Sequence, residues 1–270
     1  MILIADSGST KTDWGVITTQ GINPFHQSQE AIREILNREL LPHIHPAKVE
    51  SVCFYGSGVR PELKVMMETL LRETFPQATM VEAHSDLLGA ARALCGRDCG
   101  IAAILGTGAN SCLYDGDGIV ENTPSMGYIL GDEGSGAVLG KLFIHHLYKG
   151  LLSKEIVSSF EEETGLSMAT VIDRVYRQPL PNRFLASLSE YIHRHLDVAP
   201  LRELVISNFE DFFRCNVEAY QRADLPIHFV GSIAWYYQDE LREAAARTGY
   251  NIGIVLRNPM EGLRKYHEIR

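Results

Sequence analysis

Apolar and polar positions alternate along the first hundred residues in a way that is typical of an α/β protein. A short apolar strand at residues 2–5 leads into a polar Gly/Ser/Thr turn at 6–12 and a second predicted strand around 14–18. Beyond this hairpin, apolar residues at helical spacing alternate with short β-type runs. The pattern predicts helices at 27–41, 63–74 and 87–94 and strands at 49–55 and 79–82.

The second part of the chain begins with another strand, turn and strand, at residues 101–105, 106–110 and 111–114. The small, polar stretch just before it predicts a domain boundary near residue 98. Residues 141–225 have a mostly helical pattern with an apolar stripe that is typical of a core. A strand at 227–230, a helix at 237–246 and a short amphipathic helix after Pro259 complete the prediction.

The two predicted hairpins can be aligned at an offset of 100 residues, residues 4–10 on residues 104–110. One interpretation is a duplicated domain whose two turns would face each other across a cleft. The other is a pair of unrelated hairpins with ordinary glycine-containing turns. The residues alone leave both open.

Composition and charge exclude several classes of protein. With 45% hydrophobic and 22% charged residues, the chain resembles an ordinary globular protein. A formal charge of −9 argues against a protein that coats nucleic acid or anionic lipid. The sequence has neither a signal-peptide pattern nor an 18-residue apolar stretch, so we expect a cytoplasmic protein that does not span a membrane. The five cysteines form no CxxC pair, and a metal or redox role for Cys95 and Cys99 stays open.

Glycine-containing turns supply the most evident candidate chemistry, because their backbone N–H groups can approach a phosphate closely. The chain lacks GxxxxGK[ST], and Ser111 stands where a GxGxxG fingerprint needs its third glycine. We therefore expect a nucleotide site of another design. In a hairpin-turn design, Asp6 holds Mg²⁺ and residues 8–10 face the β- and γ-phosphates.

Asp86 stands at the start of a helix whose first turns are rich in small residues. A carboxylate there can be an N-cap and nothing more. It can also accept the proton of an attacking hydroxyl, which is the base that phosphoryl transfer to an alcohol requires.

The run from Met126 to Gly136 contains four glycines around the adjacent acids Asp132 and Glu133. One interpretation is a tight turn in which these acids cap the following helix. The other is a part of the candidate site.

Five ordered motifs together resemble the BadF/BadG/BcrA/BcrD-type ATPases, and within them the N-acetylglucosamine kinases. The resemblance spans nearly the whole chain. It is carried by residues 6–12 (DSGSTKT), Asp86 with Ala90-Ala91, residues 106–110 (GTGAN), residues 131–135 (GDEGS) and residues 230–234 (VGSIA).

This resemblance implies an α/β fold of two ribonuclease-H-like domains around an ATP cleft, at residues 1–98 and 99–258, with the final helix at 259–270 packed back on the first. It implies Mg²⁺ at Asp6 and Asp86 as the base that takes the proton of a sugar 6-hydroxyl. The ATP-binding residues implied are Gly8, Ser9, Thr10, Lys11, Gly106, Thr107, Gly108, Gly231 and Ser232. The sugar-binding residues implied are Asn23, Gly56, Ser57, Gly58, Asn110, Gly127 and Asp132.

The chain departs from the eukaryotic sugar kinases of this family at Met126, where they carry Trp, and at Tyr128, where they carry His. Both positions belong to the implied pocket wall, so N-acetylglucosamine, glucosamine and N-acetylmuramic acid all stay open as acceptors. Two other functions also stay open, namely an ATPase that activates a partner enzyme and a sugar sensor without turnover. We expect a small-molecule partner, neither nucleic acid nor membrane, and these features are compatible with a homodimer.

Overall fold

Two mixed β-sheets organise the chain, and a computed structural model describes residues 1–8 and 10–268. Ser9, which the resemblance assigns to phosphate binding, lies outside the described residues. The chain divides into two units. The first comprises Met1–Asp98, Asp115–Ile119 and the chain from Asn258 on, and the second comprises Cys99–Tyr114 and Val120–Arg257.

The first unit contains an antiparallel meander followed by two parallel strands and their helices. Its elements up to residue 95 are β1 (Ile2–Ser7), β2 (Lys11–Asp13), β3 (Thr18–Gln20), α1 (Gln29–Ile35, continued by a π-helical turn at Leu36–Leu40), β4 (Ser51–Gly56), α2 (Pro61–Thr74), β5 (Met80–Ser85) and α3 (Asp86–Cys95). The sheet order is β3-β2-β1-β4-β5, with β1, β4 and β5 parallel.

The prediction of a strand at residues 14–18 is wrong. β2 ends at Asp13 and β3 begins at Thr18, and between them the N–H of Trp14 donates to the carbonyl of Ile17 at 2.9 Å. Gly15 has φ +76°, a conformation that closes a tight turn. The apolar residues of this segment suggested a strand, but they form the turn. Trp14 is apolar because its indole is buried in the core, where it is 1% exposed.

Alternate residues of β1 and β4 pack on opposite faces of the first sheet, as strand geometry requires. On one face, Leu3 and Phe54 join an apolar core that includes residues of α1 and α2. On the other face, Ile4 and Tyr55 pack with the last helix of the chain. Asp6 alternates with Ala5 and so shares the face of Ile4 and Tyr55.

The second unit repeats this strand arrangement and adds helices. Its elements are β6 (Gly100–Leu105), β7 (Ala109–Tyr114), β8 (Ile119–Glu121), α4 (Gly127–Leu130), α5 (Gly136–Tyr148), α6 (Lys154–Thr164), α7 (Met168–Tyr176), α8 (Pro181–Ser187), α9 (Ser189–Arg194), α10 (Ala199–Phe212, continued by a π-helical turn at Phe213–Val217), β9 (Ile227–Val230), α11 (Ser232–Tyr236), α12 (Gln238–Thr248) and β10 (Ile252–Leu256). From the β8 edge, the order β8-β7-β6-β9-β10 matches β3-β2-β1-β4-β5 of the first sheet, and in both sheets the first strand has an antiparallel neighbour on one side and a parallel neighbour on the other. This supports the duplicated-domain interpretation.

The final helix, α13 (Met260–Glu268), belongs to the first unit and packs on α3. The apolar stripe at Phe209, Phe213 and Val217 is buried in the core of the second unit. None of the helices in the described part of the chain is long and apolar enough to cross a membrane. The α/β fold class is confirmed by the two mixed sheets and their helices.

Candidate functional site

Three parallel strands of the first unit end side by side, and predicted site residues lie at each end. Ser7 of β1 pairs with Gly56 of β4, and Gly56 pairs with Ser85 of β5. In the sequence, Asp6 directly precedes Ser7, and Asp86 directly follows Ser85. Ligand sites of α/β proteins commonly lie at the carboxyl ends of parallel strands. The register therefore brings both carboxylates to one edge of the sheet.

The turn after β1 has a fixed base. The hydroxyls of Ser7 and Thr12 lie 2.6 Å apart, and Ser7 Oγ also donates to the carbonyl of Ile22 at 2.9 Å. Across the turn, the N–H of Gly8 donates to the carbonyl of Lys11 at 3.0 Å. Thr10 accepts a hydrogen bond from Gly21. Gly8, Thr10 and Lys11, which are predicted to bind phosphate, thus belong to a hairpin that these hydrogen bonds hold together.

The turn after β4 brings together the sugar-binding residues predicted in the first unit. The N–H of Ser57, next to Gly56, donates to the carbonyl of Ser7 at 2.9 Å. Asn23 Nδ2 lies 3.5 Å from Ser57 Oγ. A Cβ on Gly58 would lie 2.0 Å from Asn23 Oδ1, so the Asn23 side chain lies directly on this glycine. These polar groups converge as a hydroxyl-binding site requires.

Asp86 does not cap α3. The N-cap is Ser85, whose Oγ accepts from the N–H of Leu88 at 3.2 Å, and Asp86 is the first helical residue. The capping interpretation is therefore wrong for Asp86. One carboxylate oxygen, Oδ1, accepts from the N–H of Leu87 at 2.9 Å. Burial raises the pKa of Asp86, and the bond to Leu87 opposes part of that rise.

Asp6 carries a poorly compensated charge. Burial, first, and then the neighbouring carboxylates of Asp86 and Asp13 raise its pKa to about 7, whereas Lys11 acts in the opposite direction. Asp13 pairs with Asp6 across the β1–β2 ladder. The sequence analysis did not single out Asp13, which falls between the predicted turn at 6–12 and the predicted strand at 14–18. Its place opposite Asp6 follows only from the strand register.

This carboxylate group fits Mg²⁺. Mg²⁺ prefers hard oxygen ligands and is usually held by one or two carboxylates together with substrate phosphates and water. The carboxylate of Asp6 has no hydrogen-bond or salt-bridge partner among the described residues. A bound cation would offset the repulsion from Asp86 and Asp13 that contributes to the raised pKa of Asp6. Within residues 1–8 and 10–268 there is no group of three or more metal-ligating side chains, so the phosphates of a nucleotide would complete the shell.

In the second unit, the turn between β6 and β7 is held by the start of α5. The N–H groups of Gly136 and Ala137 donate to the carbonyls of Gly106 and Thr107 at 2.9 and 3.1 Å. The N–H groups of Thr107 and Gly108, by contrast, have no hydrogen-bond partner within the described residues. Such amides on a fixed turn are suited to bind phosphate oxygens.

Asp132 is held against this turn in an unusual backbone conformation. Its φ is +57°, which is uncommon outside glycine and typical of constrained sites. It is 8% exposed, and its carboxylate lies against Gly108, where a Cβ would come within 3.0 Å of Oδ2. Burial, first, and then Glu133 raise the pKa of Asp132 to about 6, whereas the backbone N–H groups of Ala109 and Gly127 act to lower it. The predicted residues Gly127 and Asp132 therefore lie together with the Gly106–Asn110 turn.

The interpretation of Asp132 and Glu133 as helix caps is wrong. The N-cap of α5 is Ser135, whose Oγ accepts from the N–H of Val138 at 3.1 Å. Glu133 instead accepts from Asn216 Nδ2 at 3.2 Å. Asn110 Oδ1, also predicted to bind sugar, accepts from Asn122 Nδ2 at 3.0 Å. Neither Asn216 nor Asn122 was predicted, because Asn216 is 83 residues from Glu133 in the sequence and Asn122 meets Asn110 only across the fold of the chain between them.

We expect Asp132→Asn to stabilise the chain at neutral pH. The folded-state pKa of about 6 lies above the unperturbed 3.8, so the folded state binds this proton more tightly than the unfolded state does. The resulting stability is complete below about pH 4 and is lost as the pH rises through 6. Asparagine resembles the protonated form, so the free energy of unfolding at pH 7.5 should rise by about 1–3 kcal/mol.

Urea unfolding at pH 4 and pH 7.5 measures this effect. The control is Asp197→Asn, an exposed aspartate of the same unit, which should leave stability within about 0.5 kcal/mol. Equal changes in the two variants at pH 7.5 would show that the Asp132 carboxylate is not destabilised by burial.

Gly231 and Ser232 lie between β9 and α11, next to the turn after β6. Gly231 has φ +126°, and a Cβ there would lie 2.3 Å from the carbonyl oxygen of Leu105, so only glycine fits this close approach. Ser232 lines a cavity of about 370 Å³. The cavity is also lined by Ser189, Glu190, His193, Arg194, Ile233, Tyr236 and Tyr237.

This cavity has the size and mixed polarity of a small-molecule site, and aromatic side chains are available to stack on a planar ring. Glu190 and His193 come from α9 in the helical region, which sequence reasoning treated as core. Of the two residues that depart from the family pattern, Met126 is 63% exposed and Tyr128 packs partly buried on the core of the second unit.

No model of a known protein family matches the chain, and no curated protein sequence matches it either. Solved protein structures do match the chain. The chain is 48% identical to the proposed N-acetylglucosamine kinase from Porphyromonas gingivalis, over 100% of this chain and 99% of that one, with a TM-score of 0.96. It shares the fold of the proposed N-acetylglucosamine kinase from Chromobacterium violaceum, with 18% identity over 98% of each chain and a TM-score of 0.71.

Proposed function

Because this chain belongs to the sugar kinase family of actin-like ATPases, we propose that it transfers the γ-phosphoryl group of ATP to the 6-hydroxyl of an amino sugar. The chain is a sugar kinase. N-acetylglucosamine is the favoured acceptor, and we place the reaction in the cytoplasm, where ATP is available. The observation that carries the proposal is the full-length similarity at 48% identity to the Porphyromonas gingivalis protein, and the presence of Asp6, Asp86 and Asp132 in the motifs supports it.

Asp86 is the proposed general base. Carboxylate Oδ1 is occupied by the N–H of Leu87, and the second oxygen is then available to accept the proton of the 6-hydroxyl. The raised pKa of Asp86 brings it nearer to the working pH, where a carboxylate is a stronger base than an exposed one. Asn23, Ser57 and Gly58 orient the acceptor from the first unit, with Gly56 keeping their turn in place.

The phosphates are proposed to bind to two turns. The first turn contributes Gly8, Thr10 and Lys11, and the second, which begins at Gly106, contributes Thr107 and Gly108. The cavity at Ser232 is proposed to hold the adenosine part, and Gly231 permits its approach. Asp6 would hold Mg²⁺, which supplies charge neutralisation on the β- and γ-phosphates when bound. The acceptor residues proposed in the second unit are Asn110, Gly127 and Asp132.

The proposal is tested by ADP release from Mg-ATP with N-acetylglucosamine, glucosamine, N-acetylmuramic acid, glucose or no sugar. We expect turnover with N-acetylglucosamine to exceed the sugar-free rate by at least about 10³-fold, since positioning an acceptor hydroxyl contributes on that scale. The phosphorylated position is read by NMR of the product. Preference for another amino sugar would correct the acceptor. Sugar-independent hydrolysis would favour an ATPase that acts on a partner, and sugar binding without turnover would favour a sensor.

A further inference from the structure

A buried hydrogen-bond network lies behind the strand ends of the first unit. Arg92 Nη1 donates to the hydroxyl of Tyr55 at 2.9 Å, and this hydroxyl lies 2.8 Å from His267 Nε2. His267 Nδ1 lies 3.7 Å from the sulfur of Cys53. Tyr55, Arg92 and His267 are 0%, 8% and 2% exposed. We call Tyr55, Arg92, His267 and Cys53 the Tyr55 network.

The chemistry of the Tyr55 hydroxyl sets the direction of its hydrogen bonds. Arginine only donates, so the phenol oxygen of Tyr55 accepts from Arg92, and its O–H can donate to His267 Nε2. Burial raises the pKa of Tyr55 to about 12, so the phenol keeps its proton throughout the physiological range.

This single hydroxyl joins three elements that carry or support the candidate site. Tyr55 immediately precedes the turn at Gly56 in β4, and it pairs in register with Asp6 of β1. Arg92 belongs to α3, whose first residue is Asp86. His267 belongs to α13, which packs on α3.

The helix α3 rests directly on Tyr55. A Cβ on Gly89 would lie 2.8 Å from Tyr55 Cβ, so no side chain separates the helix from the ring. Among the described residues, the Asp86 carboxylate is bonded only to the N–H of Leu87 in its own helix. The position of this carboxylate relative to β1 and β4 therefore depends on how α3 is seated.

We propose that Tyr55, Arg92 and His267 are positioning residues that seat α3 so that Asp86 and Asp6 stand in their reactive places. This inference rests on the proposed function. Tyr55 touches neither substrate nor nucleotide in this proposal, and it acts through the elements that its hydroxyl joins. Displacements of about 1 Å at a reacting group can cost on the order of 10²-fold in rate.

The test removes the hydroxyl and keeps the ring. We expect Tyr55→Phe to lower kcat by about 10- to 100-fold while KM for ATP and for the sugar changes by less than about threefold. The matched control is Tyr191→Phe in the second unit. Tyr191 is 3% exposed and its hydroxyl donates to Ser159 Oγ at 3.1 Å, so a comparable buried bond is lost. We expect the control to shift Tm to a similar degree with kcat unchanged.

Two substitutions of His267 separate positioning from packing. Glutamine offers a carbonyl oxygen that can accept from Tyr55, whereas leucine offers none. His267→Gln should therefore keep kcat within about threefold, whereas His267→Leu should lower kcat, by no more than Tyr55→Phe, which also removes the bond to Arg92. Because the bond lost in His267→Leu is one of the two that Tyr55→Phe removes, the double variant Tyr55→Phe/His267→Leu should be no slower than Tyr55→Phe alone.

Unchanged kcat in Tyr55→Phe, or an equal loss in Tyr191→Phe, would overturn the inference while the kinase function stands. If the wild-type chain phosphorylates no sugar, the proposed function fails instead, and calorimetric ADP binding with and without Mg²⁺ decides the inference. Tyr55→Phe should then lower the Mg²⁺ enhancement of ADP affinity by at least about fivefold. An unchanged enhancement, or none in the wild-type chain, overturns it.

Discussion

Asp86→Asn should lower kcat by about 10²- to 10⁴-fold, the usual contribution of a general base. Asparagine preserves the shape of the side chain and can still accept from the N–H of Leu87 through its carbonyl oxygen. It cannot take a proton from the acceptor hydroxyl. The loss should therefore appear in kcat, with KM for ATP changed by only a few fold, in a chain that melts at or above the wild-type temperature because a buried carboxylate has been removed.

Ser85→Ala is the matched control for Asp86→Asn. It removes the N-cap of the same helix, one residue away, and should cost about 1 kcal/mol of stability while kcat stays within a few fold. Full turnover in a folded Asp86→Asn would remove Asp86 from the role of base.

Much of the fold could be predicted because its signals are local. The α/β fold of the actin-like ATPase type is confirmed by the paired sheets and the full-length structural match. Strand β10 was missed, because Ile252–Leu256 contains Gly253 and is partly exposed, so neither burial nor alternation marks it. The β2–β3 turn was mistaken for a strand because it carries an apolar residue. Trp14 belongs to the turn, and its side chain is nevertheless buried in the core.

The candidate site was predictable where a residue type alone carries the chemistry. Glycine turns and isolated carboxylates are visible in the sequence, and Asp6, Asp86 and Asp132 were singled out on that basis. What could not be predicted depends on long-range pairing. Asp13 lies opposite Asp6 only by register, and Tyr55 meets His267 across 212 residues of sequence. No local pattern encodes such contacts.

Asp6→Asn should lower Mg²⁺-dependent turnover by about 100-fold or more and should raise the stability of the metal-free chain. The pKa of Asp6 is about 7 in the folded chain against 3.8 unperturbed, so folding favours the protonated form. That stability is complete below about pH 4 and is lost as the pH rises through 7. At pH 8 the ionised Asp6 is a net cost on the order of 2–4 kcal/mol, which asparagine removes.

The pH dependence of Mg²⁺ binding distinguishes a ligand from a structural carboxylate. In the wild-type chain a proton competes with Mg²⁺ for Asp6, so the apparent affinity, measured as Mg²⁺-dependent ADP binding, should be flat above about pH 7 and fall about tenfold per pH unit below it. Asp6→Asn should bind Mg²⁺ weakly at every pH. Asp13→Asn removes one repelling neighbour of Asp6 and no proposed ligand, so the break should move to lower pH while turnover persists. Strong, pH-dependent Mg²⁺ binding in Asp6→Asn would place the metal on another carboxylate.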